Sequence, residues 1–300
     1  MLFRSDEGRL TARVKVPFHF KPHMELSELE RASAMTAEYA DDWVSSGFVK
    51  MFMDGVVDSR TAFMLNDYPG TTERGEPLFE PERFKAICAE IDRRGLQIAV
   101  HAIGDGAVRT TIDGYEAAGL ANGLRDMRHR IEHIELIERS DIARLGALGI
   151  TASVQPPHPP GAMDFPMSTM ETVFDRSRWP DAYLWKSLAD QGAPLAFASD
   201  WPVTDVSVMR GLQAALTRVP FDGAEDERVS LMDSLYAYTA GGAWAAHMES
   251  VTGKLVVGLA ADLVLIDGDI EAIDSHDLGK TGIALTISAG QITHQGPGFA

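Results

Sequence analysis

The chain has 300 residues, 45% of them hydrophobic, and its 44 acidic and 27 basic side chains give a formal net charge of −17. This length can bury one large α/β core with a small additional unit. Such an acidic surface repels nucleic acid and anionic membranes, so we expect a small-molecule substrate. The acidity could also serve only to keep the protein soluble.

Strand-like and helix-like segments alternate from residue 10 onwards. Runs rich in β-branched residues predict strands at 10–18, 48–55, 97–102, 129–134, 150–156 and 194–200. Amphipathic stretches bounded by proline or glycine predict helices at 26–47, 81–95, 106–119, 140–149, 183–192 and 206–218. This alternation is typical of βα units in a parallel sheet. The six predicted strands are two fewer than a closed (β/α)8 barrel requires.

The sequence changes in character after a last helical segment at 231–248. Short strands with glycine turns follow at 253–269 and 283–295, and residues 289–290 are placed to form a hairpin turn. The predicted units are therefore a (β/α) barrel over 1–250 and a small β unit over 251–300.

The sequence also bears on the compartment. Cys88 is the only cysteine, so no disulfide can form within the chain, and its helix-like surroundings predict a buried thiol. No apolar run approaches the ~20 residues that span a bilayer. The segment MLFRSDEGRL is charged and has no hydrophobic signal-peptide region. We expect a cytoplasmic protein without a membrane partner.

Three candidate metal ligands each follow an apolar, strand-like run. QIAVHAIGD places His101 there, RHRIEHIEL places His133 and PLAFASDWP places Asp200. Imidazoles and carboxylates are common ligands of zinc-like metals, and a bound metal lowers the pKa of water. Such dispersed ligands converge only if their strands run parallel and side by side, so we predict a metal site at the strands' carboxyl ends. Taken singly, each histidine is more simply explained as structural, and Asp200 could equally well be a metal ligand or a helix N-cap.

Two further residues lie near predicted strands. Lys50 is inside the run FVKMFMDG, where a charged amine is costly to bury. It would fit there if it ended the strand, paired with Asp54 or were chemically modified, but periodicity alone favours an ion pair or a surface lysine. His158 follows the strand ITASVQP and is placed to contact substrate. His19 and His23 are predicted to lie in an exposed loop.

The segment HRIEH, residues 129–133, also matches the zinc protease signature H-x-x-E-H. That alternative requires a helix, which would place both histidines on one face with Glu132 as general base. Ile131, Ile134 and Ile137 would give such a helix an apolar stripe. The β-branched residues suit a strand equally well, so both structures are possible from the sequence.

Six segments together resemble the metal-dependent amidohydrolase superfamily, in the family's order, from about residue 10 to the C-terminus. They are VKMFMDGVVDSRTA, QIAVHAIGDGAVRTTIDGYE, RHRIEHIELI, ITASVQPPH, LAFASDWPV and YTAGGAWAAHMESVTGKLVVGLAADLVLIDGD. They are most similar to the YtcJ-like branch, which includes N-substituted formamide deformylases. The resemblance implies a TIM-like barrel with a β-sandwich appendage. It also implies hydrolysis, by metal-activated water, of non-peptide C–N bonds in amides, formamides or cyclic amides.

The same resemblance implies roles for individual residues. Lys50 would be carboxylated by CO2 and would bridge two metals as a carbamate. His101 and His133 would bind the second metal, and Asp200 would bind the first and act as general base. His158 would lie near the substrate. The implied cofactor is zinc or a similar divalent metal, as one or two ions.

One part of the family's pattern is missing. The first barrel strand of the family carries H-x-H, which completes the first metal site, and this sequence contains no H-x-H. We therefore expect an incomplete barrel that begins at about the third strand. Association into a homo-oligomer would cover its exposed edges. The competing hypothesis is a truncated, non-catalytic remnant or an assembly partner of an amidohydrolase.

Overall fold

The computed structural model describes residue 7 and residues 10–298. The first elements are β1 (Val14–Lys15), β2 (Phe18–His19), α1 (Leu29–Glu38), β3 (Val44–Ser45), β4 (Phe48–Phe52), α2 (Pro81–Arg93) and β5 (Gln97–Ala102). The next are α3 (Asp105–Asn122), β6 (Arg130–His133), α4 (Arg139–Ala147), β7 (Thr151–Val154), α5 (Ser168–Val173), α6 (Trp185–Asp190), β8 (Leu195–Phe197) and α7 (Val208–Thr217). The last are α8 (Leu231–Tyr238), α9 (Ala240–Ala245), β9 (Leu263–Ile266), β10 (Ile283–Ser288) and β11 (Gln291–Gln295). The described residues also form 3-10 helices at Leu26–Glu28, Arg176–Asp181 and Ser275–Lys280.

Six strands form one parallel sheet in the order β2-β4-β5-β6-β7-β8. Helices in the connections between strands cover the sheet, as parallel pairing requires. In the described residues β2 and β8 each pair on one side only, so the sheet does not close. The predicted TIM-like α/β fold with six barrel-like strands is thereby confirmed. No helix in these residues is long and apolar enough to cross a membrane.

The core lies between the sheet and its helices. Alternate residues of the inner strands point toward α2 and α3, and all of them are buried: Val49, Met51, Ile98, Val100 and Ile131. The helices contribute Phe84, Ile87, Ile91 and Ile112 to the same cluster. Each such side chain contributes roughly 1.5–3 kcal/mol on burial, so this layer is a major source of the sheet's stability.

The C-terminal region forms an antiparallel sheet in the order β11-β10-β9. Its hairpin turns at Ala289 and Gly290, which have φ values of 49° and 80°, as predicted for this pair. Met209 and Leu212 of α7 pack with Leu278 and attach this region to the barrel. The predicted unit boundary at residue 250 stays a prediction.

Several predicted boundaries near the N-terminus were wrong. The strand expected at 10–18 is divided, because β1 pairs with β3 in a separate two-stranded sheet and only β2 joins the large one. The helix expected at 26–47 ends at Glu38. It stops there because Tyr39 is extended and the Asp41 carboxylate accepts hydrogen bonds from the following backbone N–H groups of Trp43 and Val44.

Later segments also differ from the prediction. The helix expected at 231–248 is two helices, separated at Thr239, whose ψ of −92° is not helical. The connection after β7, for which no element was predicted before residue 183, contains α5 and a 3-10 helix. Of the strand expected at 253–269, only β9 forms.

The sheet carries a partly buried ion pair on β6. Arg130 and Glu132 lie two residues apart on β6, so both point to the same face, and the Arg130 Nε donates to Glu132 Oε1 at 2.7 Å. Burial alone would raise the pKa of Glu132, but the charges of Arg130 and Lys50 outweigh it and hold that pKa at about 2. The ionised carboxylate therefore stabilises the fold.

Replacing Glu132 by glutamine should lower the free energy of unfolding by on the order of 3 kcal/mol near neutral pH. The folded-state pKa lies below the ordinary 4.5, so this contribution is complete above pH 4.5 and is lost as the pH falls toward 2. Urea unfolding of both proteins between pH 3 and 7 should show the difference shrinking at acid pH. The exposed Glu82→Gln variant is the control, and a pH-independent difference for Glu132→Gln would contradict the account.

Candidate metal centre at the carboxyl ends of the strands

A cavity of about 390 Å³ opens where the strands of the large sheet end. The five residues singled out in the sequence all line it: Lys50, His101, His133, His158 and Asp200. They come from β4, β5 and β6 and from the residues that follow β7 and β8. The convergence expected of parallel strands is therefore present in the structure.

An unusual backbone conformation brings His133 into this cavity. On β5, His101 lines the cavity, so the next residue, Ala102, points to the opposite face of the sheet. His133 is paired with Ala102, and regular strand geometry would therefore turn it away from the cavity as well. Positive φ values at His133 (83°) and Ile134 (50°) reorient the end of β6. Asp200 also has a positive φ, 56°. Non-glycine residues rarely adopt this conformation, and such exceptions cluster at functional sites.

His133, His158 and Asp200 each offer one ligand atom within 4.8 Å of the others. The rings of the two histidines stack at 5.8 Å, and His158 Nε2 lies 3.9 Å from Asp200 Oδ2. Among the residues that the structure describes, buried His158 Nε2 has no hydrogen-bond partner. Buried polar atoms normally have partners, and a divalent cation among these three side chains would supply one. The residues present therefore fit a metal.

Hydrogen bonds fix the imidazole rings of His101 and His133. His101 Nε2 lies 2.8 Å from the Gly55 carbonyl, and His133 Nδ1 lies 2.9 Å from the Gln155 side-chain oxygen. Both acceptors are oxygens, so both ring nitrogens donate. His101 Nδ1 and His133 Nε2 are then left with free lone pairs, the state in which imidazole binds a metal.

The electrostatic environment favours the same neutral state. Burial lowers the pKa of His101 and holds that of His133 well below its ordinary value, and the nearby Lys50 ammonium adds to both effects. Near neutral pH both rings are therefore uncharged and available as ligands.

Lys50 lies in the middle of β4 and lines the cavity without a strong partner. Its Nζ is 5.0 Å from the centre of the Phe52 ring, and in the described residues it forms no hydrogen bond or close ion pair. The pairing with Asp54 that the sequence allowed does not occur. Asp54 instead accepts hydrogen bonds from the backbone of Phe63, Ile103 and Gly104. Burial lowers the pKa of Lys50, an effect that Glu132 and Asp200 oppose.

Asp200 is half-buried and faces His158 rather than capping a helix. The following helix α7 is capped by Ser207, whose hydroxyl accepts from the backbone of Arg210. Burial raises the pKa of the Asp200 carboxyl, although His158 and Lys50 oppose the shift. The alternative role as an N-cap is therefore excluded.

The protease interpretation of HRIEH was wrong, because this segment enters a strand. His129 lies outside the cavity, where its Nδ1 accepts from the Ile98 backbone and its Nε2 lies 3.3 Å from Asp92 Oδ1. It shares no helix face with His133. His19, predicted in a loop, is an exposed residue of β2 and does not line the cavity.

Two supporting residues were missed by the sequence analysis. Gln155 directly follows β7. His101 was selected because it follows an apolar, strand-like run, and the same criterion would have selected Gln155 if amide side chains had been included. Glu135 lines the cavity two residues after His133. No sequence signal marks Glu135, because its position depends on the positive φ values before it.

Comparison with known proteins supports a single family. The profile described as the amidohydrolase family matches residues 5–294. The protein LONG AFTER FAR-RED 3 of Arabidopsis thaliana is 34% identical over 84% of this chain and 43% of its own length. The putative amidohydrolase YtcJ of Bacillus subtilis is 29% identical over 96% of this chain and 53% of its own length. N-substituted formamide deformylase of Arthrobacter pascens is 25% identical over 84% of this chain and 46% of its own length.

Solved structures agree with these matches. An uncharacterised metal-dependent hydrolase from Pyrococcus horikoshii superimposes with a TM-score of 0.72 at 26% identity, over 87% of this chain and 51% of its own. The zinc complex of atrazine chlorohydrolase TrzN from Arthrobacter aurescens is 16% identical and shares the fold. It superimposes with a TM-score of 0.63 over 97% of this chain and 63% of its own length. The chain spans about half the length of the curated relatives it matches. The resemblance to YtcJ-like proteins is confirmed, and the chain belongs to the amidohydrolase family.

Proposed function

We propose that the chain is a metal-dependent hydrolase of non-peptide C–N bonds in amides, formamides or cyclic amides. The observation that carries the proposal is the cluster of His133, His158 and Asp200, with its unpartnered buried ring nitrogen, inside the cavity. The names of two relatives support it, since one is an N-substituted formamide deformylase and one a metal-dependent hydrolase. The zinc complex of TrzN makes zinc the first metal to test.

These three side chains would hold one cation, while Lys50 and His101 would contribute to a second position in the same cavity. A bound divalent cation supplies Lewis acidity toward a carbonyl oxygen and lowers the pKa of water. The neutral imidazoles bind without adding charge. The Asp200 carboxylate partly balances the positive charge of the cation.

Asp200 is the proposed general base. It removes a proton from the attacking water and delivers it to the leaving nitrogen, so it returns to its ionised state after each cycle. Its half-buried carboxylate lines the cavity and lies 3.9 Å from His158 Nε2. Apolar side chains of the cavity receive the rest of the substrate and exclude water, among them Val57, Ile103, Phe165 and Val203.

Lys50 is the proposed site of carbamate formation. Its neutral amine attacks CO2, a C–N bond forms, and one proton is released, which leaves an anionic carbamate. Burial lowers the pKa of Lys50, so the reactive neutral form is more available than in an exposed lysine. An anion at this position would pair with bound cations and would remove the cost of an unpaired buried ammonium.

Zinc binding and amide hydrolysis should depend on the cluster. Titration with zinc, followed by elemental analysis, should show one or two ions per wild-type chain, with at least a tenfold loss of affinity in His133→Ala and His158→Ala. Asp200→Asn should lower turnover of N-substituted formamides by about a thousandfold or more, because the base is lost.

The exposed His276→Ala variant is the control for both measurements. A wild-type chain that takes up no zinc in the presence of bicarbonate and hydrolyses none of the amides would contradict the proposal. The non-catalytic alternative would then replace it.

A carbamate on Lys50 should be visible by carbon-13 NMR of the zinc-loaded protein in labelled bicarbonate. The signal should vanish in Lys50→Arg, together with the second zinc ion. Lys15→Arg is the matched control: Lys15 is also partly buried, with a pKa of about 8, but its amine donates to the Ala246 carbonyl at 2.6 Å. A carbamate signal that survives in Lys50→Arg would refute the assignment.

We also propose that the chain forms a homo-oligomer. Support comes from β2 and β8, which pair on one side only in the described residues, and from the exposed apolar residues Leu255, Val256 and Val257. Sedimentation at about 10 µM protein should give at least twice the chain mass of 32.7 kDa. A single species of chain mass would refute this proposal.

A further inference from the structure

We propose that Glu135 is a positioning residue that orients His158 toward the metal cluster. This inference rests on the proposed function, since it assumes that His158 binds a metal. Glu135 itself is not among the three clustered ligands. It acts on the opposite side of the His158 ring.

The His158 imidazole lies between two carboxylates. Its Nδ1 is 3.6 Å from Glu135 Oε1, and its Nε2 is 3.9 Å from Asp200 Oδ2. In the described residues neither ring nitrogen forms a hydrogen bond within the protein. Glu135 and His158 are each only 7% exposed, so water has little access to compete for these positions. A movement of less than 1 Å would bring the Glu135 carboxylate to hydrogen-bond distance.

The backbone around Glu135 is held from both sides. The Tyr183 backbone N–H donates to the Glu135 carbonyl at 2.9 Å, and the next residue, Leu136, donates to the Ile103 carbonyl at 3.0 Å. Leu136 also forms an antiparallel bridge with Ala182. The carboxylate therefore projects into the cavity from a fixed segment.

The chemistry of imidazole explains why this arrangement matters. A neutral ring has one N–H, and a carboxylate at Nδ1 favours the tautomer that carries the hydrogen there. The Nε2 lone pair then faces Asp200 and the cation position. His101 and His133 already have such acceptors in the Gly55 carbonyl and the Gln155 amide. Glu135, whose Oε1 lies 3.6 Å from His158 Nδ1, is the group placed to become the acceptor for the third histidine. A carboxylate increases ligand basicity more than a neutral oxygen does.

Asp58 provides a matched control for the charge of Glu135. It lines the same cavity, and Glu135 lies near enough to contribute to the raised pKa of Asp58, which is mainly due to burial. No ion pair links Asp58 to His158 in the described residues. Removing the Asp58 charge therefore changes the cavity's electrostatics without touching the histidine.

The experiment compares zinc affinity, by competition with a chelating dye, in wild type, Glu135→Met, Glu135→Gln and Asp58→Asn. Glu135→Met removes the acceptor and should weaken zinc binding 10- to 100-fold. Glu135→Gln keeps an acceptor oxygen and should lose less, and it serves as the test if the methionine variant does not fold. Asp58→Asn should stay within about twofold of wild type.

A double variant separates positioning from a general structural effect. In a His158→Ala background, Glu135→Met should cause little further loss of zinc affinity, because its effect passes through that ring. Equal zinc affinity in wild type and both Glu135 variants would overturn the inference alone. Equal losses of zinc affinity in Glu135→Met and Asp58→Asn would also overturn it. The same holds if the Glu135 variants have higher KM values for cationic amides but unchanged zinc affinity. A wild type without zinc would instead overturn the proposed function, and this inference with it.

Discussion

Parallel pairing of the six strands is the constraint on which the site depends. The register places Phe52, His101, Glu132 and Ser153 in one row across four neighbouring strands. All strands then end at the same edge, and each contributes no more than one or two polar groups to the cavity. A slip of one residue in any strand would turn its ligand toward the helices. The buried aliphatic layer that fixes this register is therefore as necessary to the site as the ligands themselves.

The site residues are also linked between neighbouring strands. Gly55, after β4, holds the ring of His101 on β5, and Gln155, after β7, holds the ring of His133 on β6. A strand therefore contributes both a potential ligand and the orientation of its neighbour's ligand. Buried imidazoles without such acceptors would have no fixed tautomer. This exchange explains why residues without metal-binding character, such as Gly55, matter to the geometry.

The sequence was sufficient for the order and approximate positions of the strands in the large sheet and for the candidates His101 and Asp200, because periodicity and strand-end positions are local signals. It was insufficient where the backbone departs from regular geometry. Simple alternation places His133 on the helix side, and only the positive φ values at His133 and Ile134 reverse this. Glu135 was missed for the same reason, because its position also depends on these φ values. The expected position of His158 beside the substrate stays a prediction. The structure groups it with His133 and Asp200, which the sequence could not indicate because the turn after β7 has no periodicity to interpret.

The geometry also separates the two candidate metal positions by what each requires. His133, His158 and Asp200 come from β6 and from the residues that follow β7 and β8, and they can bind a cation without any covalent change. The second position draws on Lys50 and His101 from β4 and β5, and an ammonium there would repel a cation. Under the proposed function, that position would form once the amine is converted to the carbamate. Because a nearby cation would stabilise that anion, occupancy of the first position should favour assembly of the second.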